Sequence, residues 1–229
     1  MALIKAFESG CPLDEVSIAE QAGVATDVVR AALGMWGLRG RAVNDDVLLG
    51  LVEDVVLRSG RLEEVPRAVG WKLFERLVGR LLARTGLEVA WNVRLSLGKS
   101  RFQFDLIAIG NEALYVIECK RWHRTLSPSL RSAISSQLLR RVEAMETALK
   151  SVLGEGNVTV YVVPTVITPH ARPSGEQVFF ASLRALRSLV SEHPSTLDSP
   201  PVRRLQVASR PSFPVFHRRP FSHTKVGKQ

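Results

Sequence analysis

The stretch Phe102–Arg121, FQFDLIAIGNEALYVIECKR, places two acids inside sequence that is otherwise typical of buried strands. Asp105 interrupts the first apolar run, and Glu118 stands near the end of the second. Gly110-Asn111 lies between the runs and predicts a two-residue hairpin turn. The stretch therefore predicts a β-hairpin with an acid on each strand.

The length of this turn decides whether the acids meet. A two-residue turn at Gly110-Asn111 pairs Asp105 with Val116, which places Asp105 diagonal to Glu118. Side chains alternate faces along a strand, so Val116, Glu118 and Lys120 share the face of Asp105. A three-residue turn would instead put the two acids on opposite faces.

Two carboxylates on an apolar face need a counter-charge, because burying an isolated charge is costly. Asp105 and Glu118 offer hard oxygen ligands without a His or Cys cluster, which predicts Mg²⁺ or Mn²⁺. The Cys119 backbone carbonyl would add a ligand, whereas the Cys119 thiol would face the core. Lys120 would orient or help deprotonate the attacking water. A salt bridge at the end of a strand is the alternative interpretation of these residues.

The flanking sequence predicts an α/β fold. A helix is expected over about Val69–Thr85, with an apolar stripe on one side, four cations on the other and Glu75 as its only acid. Three strands, a helix from Ser127-Pro128 to about Val152, a buried strand over Val158–Thr168 and a last helix over Leu183–Val190 follow. The predicted order from Val69 is therefore α-β-β-β-α-β.

These features together resemble the PD-(D/E)xK nuclease superfamily, nearest to Mrr-type restriction endonucleases and archaeal Holliday-junction resolvases. The resemblance covers about Val69–Val190 and depends on Asp105, the Glu118-Cys119-Lys120 triplet and the element order; Phe104 stands where the motif name has proline. It implies a restriction-endonuclease-like core with a mixed central sheet. It also implies a Mg²⁺-dependent deoxyribonuclease that leaves 5′-phosphate and 3′-hydroxyl ends.

The resemblance adds two residues to the site. Glu75 would complete it through a metal-bound water or a second ion, and Gln137 would contact the scissile phosphate or Lys120. The predicted catalytic set is Glu75, Asp105, Glu118, Lys120 and Gln137. Judged without the resemblance, Glu75 is equally well interpreted as a capped surface residue. His123 is interpreted as a surface histidine or a proton shuttle, and Trp122 as a packing or base-stacking residue.

Positive charge is concentrated after residue 65. Residues 1–65 carry six Lys and Arg and eleven Asp and Glu, a net charge of −5, whereas residues 66–229 carry +14. The second part is therefore expected to bind a polyanion, with DNA as the first choice and RNA as the weaker one. The candidate nucleic-acid-binding residues are Lys72, Arg76, Lys99, Arg101, Arg121, Arg124, Arg131 and Arg140. The cations of the predicted helix over Val69–Thr85 are alternatively interpreted as a face exposed to solvent.

Three segments are predicted: a winged-helix-like domain over residues 1–65, the nuclease domain over 66–191 and a basic extension over 192–229. In the first, helices are expected over Met1–Ser9, from Ser17 to a break at Gly23, and over Val28–Met35. Thr26 or Asp27 is the expected cap of the last of these helices. The spacing of Ala19, Gly23 and Val29 resembles that of a helix-turn-helix.

A small hairpin over Leu38–Leu49, as in winged helices, and a linking helix over Leu51–Glu64 complete the first domain. The domain either docks on DNA through its third helix or contacts a protein partner. That helix offers only Arg30 to phosphate, and the net negative charge of the domain opposes DNA binding.

The extension over residues 192–229 carries a net charge of +5 and is rich in Pro and Ser. Phe213, Phe216 and Phe221 are interleaved with its basic residues. Two interpretations stand: an extended nucleic-acid-binding arm, or an irregular segment packed across the core.

Composition bounds the remaining expectations. Cys11 and Cys119 are the only cysteines, and the apolar runs are shorter than the roughly 20 residues of a membrane helix. With no secretory leader, a cytoplasmic location is expected. The predicted function is a DNA endonuclease in restriction, repair or structure-specific cleavage, expected as a homodimer because cutting both strands usually needs two sites. The alternative is a nuclease-fold protein that binds nucleic acid or acts as a scaffold without cutting.

Overall fold

The computed structural model describes residues 14–38, 47, 49–50, 52–54, 71–110, 112–120, 126–169, 171, 174–175, 177–191, 201–217 and 221–223. The chain forms two compact units, residues 1–77 and residues 78–229. The predicted boundaries at residues 65/66 and 191/192 stay predictions. The expectations for Met1–Ser9, for Cys11 and for Arg121–Arg124 lie outside the described residues.

The described part of the N-terminal unit begins with two short helices, α1 (Glu15–Ala22) and α2 (Thr26–Met35). Asp14 caps α1, because its carboxylate accepts hydrogen bonds from the backbone amides of Val16 and Ser17. Gly23 follows α1 at a φ of 64°, a conformation that favours glycine. The buried residues between the helices are Ile18, Ala19, Val29, Leu33 and Leu38. Ala19 and Val29 are therefore buried as the helix-turn-helix spacing predicts.

Two local predictions in this unit are wrong. Thr26 and Asp27 lie inside α2, and Ala25 occupies the N-cap position without a side-chain hydrogen bond. The second arm of the expected hairpin is not a strand, because Val47 and Leu49 are helical. Val47 packs against the small core of α1 and α2. The winged-helix assignment stays a prediction.

The helix α3 (Trp71–Ala83) contains the division between the two units. Phe74, Val78 and Leu82 of its predicted apolar stripe are fully buried, and Leu77 is buried with them. Further along the helix, a Cβ on Gly79 would lie 2.3 Å from Nε1 of Trp91. The missing side chain at Gly79 therefore allows the indole of Trp91 to pack directly on the helix.

The C-terminal unit is an α/β structure with a mixed sheet. Across the described ranges the sheet has the order β5-β6-β4-β3-β2-β1-β8, and β7 pairs with β4. The strands are β1 (Glu88–Leu97), β2 (Ser100–Gly110), β3 (Ala113–Cys119), β4 (Val158–Ile167), β5 (Ser174–Gly175), β6 (Phe179–Ala181), β7 (Arg203–Val207) and β8 (Phe221–His223). Strands β3, β4 and β6 run parallel, and the other pairs are antiparallel. The predicted α/β class is confirmed.

The predicted hairpin turn is displaced by one residue. Gly110 pairs with Ala113 and so belongs to β2, and Glu112, which has a φ of 64°, lies in the turn. Gly110 serves a close approach instead, because a Cβ there would lie 2.5 Å from Cδ2 of Leu87. The turn prediction is therefore wrong in position, because Gly110 is the last residue of β2 and not part of the turn.

Two further helices belong to this unit, α4 (Pro128–Leu153) after β3 and α5 (Leu183–Ser191) after β6. Both were predicted, and the Ser127 hydroxyl caps α4 by accepting a hydrogen bond from the Leu130 amide at 3.3 Å. The buried side of α4 includes Leu138, Val142, Met145 and Leu149 at helical spacing. These residues join side chains of β1 to β4 in one core.

The described part of the C-terminal extension belongs to this unit. Strand β7 pairs with the first half of β4, and β8 pairs with β1. Between them a short 3₁₀ helix, Phe213–His217, carries Phe216, whose side chain is fully buried in the core. For these residues the structure favours a segment packed across the core over an extended arm.

Candidate active site

The register of the central hairpin brings Asp105 and Glu118 together. Leu106 pairs with Ile117 and Ile107 with Val116, so continuing the ladder places Asp105 directly opposite Glu118. The predicted pairing of Asp105 with Val116 is wrong by two residues. Because a two-residue shift preserves side-chain alternation, the two acids still share one face of the sheet.

The ladder on the other side of Asp105 is irregular. Trp91 pairs with Leu106 and Val93 with Phe104, whereas the intervening Asn92 has a φ of 50°. A left-handed residue within a strand is uncommon, although asparagine tolerates this conformation better than most residues. Such distortions cluster at functional sites. Asn92 therefore lies across the ladder from Asp105, at a position that no motif had predicted.

Glu118 is the most buried acid of the site, with its side chain 6% exposed. Its Oε1 lies 2.6 Å from Nζ of Lys120, and its Oε2 accepts a hydrogen bond from Arg141. Both carboxylate oxygens are therefore paired with cations. This pairing matches the salt-bridge interpretation as well as the catalytic one.

Asp105 has a less balanced environment. Its Oδ2 accepts a hydrogen bond from the Cys119 amide at 2.9 Å. Burial, followed by the negative charge of Glu118, raises the pKa of Asp105 from 3.8 to about 6, although the Cys119 amide, Lys120 and Arg141 oppose the shift. The site therefore holds one acid, Glu118, that is paired with two cations, and a second acid, Asp105, whose charged form is disfavoured by burial.

Helix α4 supplies the residue that the sequence interpretation missed. Arg141 reaches from this helix to Glu118, which lies on β3. Gln137, predicted to be catalytic, is exposed one helical turn earlier. Residues four apart lie on the same helix face. A helix that turns Gln137 towards the site therefore also turns Arg141 towards it, and this spacing could have predicted the contact.

The remaining predicted residues are distributed over both units. Glu75 is half-buried on α3, in the part of the helix that belongs to the N-terminal unit, and its catalytic role stays a prediction. The Cys119 thiol is buried, as expected. Among the candidate nucleic-acid-binding residues, the exposed ones are Lys72, Lys99, Arg101 and Arg140, the half-buried ones are Arg76 and Arg131, and Arg121 and Arg124 lie outside the described residues.

The donor set at this site is small but fits a hard divalent cation. In the part of the chain that the structure describes, no three His, Cys, Asp or Glu side chains form a metal-binding group. The oxygen donors are the Asp105 and Glu118 carboxylates, although Lys120 and Arg141 already pair with both oxygens of Glu118; the Cys119 carbonyl stays a predicted backbone ligand. Mg²⁺ accepts one or two carboxylates and keeps several waters. A bound cation would offset the burial and the negative charge of Glu118 that raise the pKa of Asp105.

Comparison with known proteins gives the class to which this arrangement is similar. Residues 70–169 match the family model described as nuclease-related domain, which supports a nuclease-like superfamily for this segment. The matched segment contains α3, the central hairpin, α4 and β4, and therefore both acids and Lys120.

Individual relatives are more distant. No curated protein matches the chain significantly. One similar solved structure is AF1548, a protein of unknown function, with 19% identity over 53% of this chain and 55% of that chain and a TM-score of 0.33. Another is protein VC1899 from Vibrio cholerae, with 15% identity over 70% of this chain and 44% of that chain and a TM-score of 0.34. The chain spans about half the length of these two proteins.

None of the described helices has the length and apolar character needed to cross a membrane.

Proposed function

We propose that the chain is a metal-dependent endonuclease of the PD-(D/E)xK type that hydrolyses phosphodiester bonds in DNA. The observation that carries the proposal is the proximity of the two acids: Asp105 accepts a hydrogen bond from the Cys119 amide, next to Glu118, and Lys120 contacts Glu118. The match of residues 70–169 to the nuclease-related domain agrees with it. The order of α3, β1, β2, β3, α4 and β4 is that of a restriction-endonuclease-like core.

Each residue has a role in this proposal. Asp105, Glu118 and the Cys119 carbonyl would hold Mg²⁺ or Mn²⁺. The bound ion would supply an acidified water and charge stabilisation at the phosphate. Lys120 orients the attacking water and helps to remove its proton, and Arg141 donates to a phosphate oxygen. The water oxygen attacks phosphorus, the bond to the 3′-oxygen breaks, and the products are a 5′-phosphate and a 3′-hydroxyl. Gln137 keeps the supporting role that the resemblance implies.

The charge distribution supports a nucleic-acid substrate. Residues 66–229 carry a net charge of +14, and exposed cations include Lys99, Arg101 and Arg140. Contacts between such residues and phosphate are strong but carry no sequence information. We propose DNA as the substrate and a homodimer as the cutting form. A role in restriction or repair, a cytoplasmic location and action on branched DNA extend the same proposal.

We propose a protein-contact role for the N-terminal unit. Arg30 is the only basic residue of α2, and it pairs with Glu15 at 2.8 Å and with Asp27 at 2.7 Å. Its charge is therefore neutralised by neighbours within the same unit. An acidic surface of this kind favours a partner protein over phosphate.

One observation favours a second candidate, a nucleic-acid-binding protein that does not cut. Lys120 and Arg141 occupy both oxygens of Glu118. These two cations neutralise the charge of Glu118 without a metal ion. A nuclease-like protein that binds nucleic acid without cutting it would need this metal-independent pairing. In that case the carboxylates stabilise the sheet end and the exposed cations bind the strand.

A cleavage assay separates the two candidates. Wild-type protein and the variants Asp105→Asn and Lys120→Met are incubated with plasmid, flap, single-stranded and four-way DNA in the presence of Mg²⁺ or Mn²⁺. We expect wild-type cleavage and a loss of at least about a hundredfold in both variants, with DNA binding retained. Lys150→Met and Glu155→Gln, which change an exposed pair at the end of α4, serve as controls. Full activity in Asp105→Asn, or a wild-type protein that binds but never cuts, would reject the nuclease.

A further inference from the structure

A pocket of about 270 Å³ lies between the start of α4 and β6. Its lining includes the cation of Arg131, the hydroxyls of Ser132 and Ser135, and the amide of Gln177, and the rings and methyl groups of Phe180 and Val178 supply apolar surface. This volume is close to the lower limit of small-molecule sites, about 300 Å³. The pocket is thus large enough for one small planar group.

The strand pairing places this pocket beside the candidate active site. Glu118 pairs with Val166 across β3 and β4, and Val166 pairs with Phe180 across β4 and β6. Glu118, Val166 and Phe180 therefore form one row on the same face of the sheet, two strand spacings or about 10 Å long. A ligand in the pocket would lie in the direct continuation of the Asp105–Glu118 pair.

The lining combines features that recognise a nucleotide. The Arg131 guanidinium lies 4.5 Å from the ring centre of Phe180, which holds a planar cation against the pocket wall. Ser135 is a polar residue only 5% exposed, in a helix face that otherwise buries apolar side chains. Bases stack on arginine and aromatic planes, and hydroxyl and amide groups bond to their edges.

We propose that this pocket binds one unpaired nucleotide of the substrate strand, next to the bond that is cut. A base that is stacked and paired in a duplex cannot enter a pocket of this size without leaving the helix, whereas a base in a single strand, flap or junction can. The inference rests on the proposed nuclease function and adds a substrate class to it. The preferred substrate is DNA with an unpaired nucleotide at the cleavage position.

Filling the pocket tests the proposal. Ser132→Trp places a large side chain at the pocket, and Ser136→Trp places the same side chain at an exposed position of the same helix, outside the pocket lining. Binding of a short labelled single strand and of a blunt duplex is measured by fluorescence anisotropy, with EDTA present so that no cleavage occurs. We expect Ser132→Trp to weaken single-strand binding about tenfold, the worth of one stacked base, and to leave duplex binding unchanged. Ser136→Trp should change neither.

A second variant covers the case in which the tryptophan prevents folding, which circular dichroism would reveal. Arg131→Met removes the pocket cation and should weaken single-strand binding more than duplex binding. Arg140→Met removes an exposed cation of the same helix and should weaken both equally. Equal loss for both substrates in Arg131→Met, or an unchanged single-strand affinity in a folded Ser132→Trp, overturns the pocket.

The outcome for the pocket is independent of the outcome for cleavage. A wild-type protein that cuts DNA while pocket variants bind single strands normally would reject the pocket and keep the nuclease. Selective single-strand loss in the pocket variants of a protein that never cuts would support the nucleotide site and reject the nuclease.

Discussion

Two arginine–carboxylate clusters connect the same helix to the same sheet, and they differ in electrostatic balance. In the first, Arg141 of α4 and Lys120 pair with Glu118 of β3, whose side chain is 6% exposed. In the second, Arg203 of β7 pairs with Glu146 of α4 through Nε at 2.7 Å and Nη2 at 2.9 Å. Arg203 is 37% exposed, and its hydrogen bond to Glu146 raises the pKa of the guanidinium above its usual value.

The Glu146 cluster only connects a helix to a strand. The Glu118 cluster also contains a second acid, Asp105. The Glu146 cluster is a bidentate pair at the surface, with Glu143 as a further acid at 3.8 Å. The Glu118 cluster is buried and includes Asp105, whose pKa rises to about 6 because burial and Glu118 disfavour its charge. Burial therefore disfavours the charge of Asp105, whereas the Glu146 pair has no such buried neighbour among the described residues, and shifted carboxyl groups of this kind are common at functional sites.

The largest expected difference between the clusters is the cost of removing the arginine. Arg141→Met leaves Glu118 buried with one cation in place of two, and breaking a buried pair costs about 3 kcal/mol in the free energy of unfolding. Arg203→Met breaks a partly exposed pair and should cost about 1 kcal/mol. Urea denaturation followed by circular dichroism measures both variants, which remove the same groups. Equal losses would show that the two clusters do not differ in the proposed way.

Removing the charge of Asp105 is expected to raise the free energy of unfolding, whereas removing Arg141 lowers it. The folded-state pKa of Asp105, about 6, exceeds its ordinary value of 3.8. The native state then binds the proton more tightly, so wild-type stability falls as the pH rises from about 4 to about 6 and stays lower above that range. Asp105→Asn removes this penalty and should stabilise the protein by about 2 kcal/mol near pH 7.5.

The stabilisation expected for Asp105→Asn is tested by measuring how it depends on pH. The difference between Asp105→Asn and the wild type should shrink as the pH falls from about 6 to about 4 and vanish below about 3, where the wild-type carboxyl is protonated in both states. At the other cluster, Glu146→Gln should instead destabilise the protein by about 1 kcal/mol near neutral pH, because it breaks a favourable pair. A destabilised Asp105→Asn at neutral pH would mean that the acid serves the fold.

A smaller effect is expected from the backbone beside Asp105. Asn92 has a φ of 50°, a conformation that costs alanine about 1 kcal/mol more than glycine. Asn92→Ala should therefore be less stable than Asn92→Gly by about 1 kcal/mol in thermal unfolding. Both variants remove the same amide, so the difference between them reports the backbone alone. Equal stability would remove the evidence for strain next to the acid pair.

The sequence predicted this site well where local alternation was sufficient. The apolar runs around Asp105 and Glu118 established a hairpin, and alternation put both acids on one face even though Gly110 belongs to β2 and not to the turn. A shift by two residues leaves the faces unchanged, so this error did not affect the site. Gly110 also lies close to the Leu87 side chain, a contact with another segment that the local sequence does not show.

The residues that sequence reasoning missed depend on contacts between distant elements. Arg141 stands among several cations of α4, and only the packing of that helix on the sheet distinguishes it from the exposed Arg140. Arg203 appeared to belong to a basic arm until β7 paired with β4 and brought it to Glu146. Composition shows how much charge a segment carries, whereas the fold determines which of those charges are paired.

The smallest expected effect comes from a third arginine cluster, in the N-terminal unit. Arg30 pairs with Glu15 and Asp27, and the side chains of Arg30 and Asp27 are 46% and 88% exposed. Exposed pairs of this kind contribute less than about 1 kcal/mol, so Arg30→Ala should barely change the free energy of unfolding. Because this charge is already compensated, duplex DNA affinity should also stay unchanged, whereas Arg101→Ala, at an exposed site of the basic unit, should lower it. A clear loss of duplex binding in Arg30→Ala would return DNA docking to α2 and reject the protein-contact role of this unit.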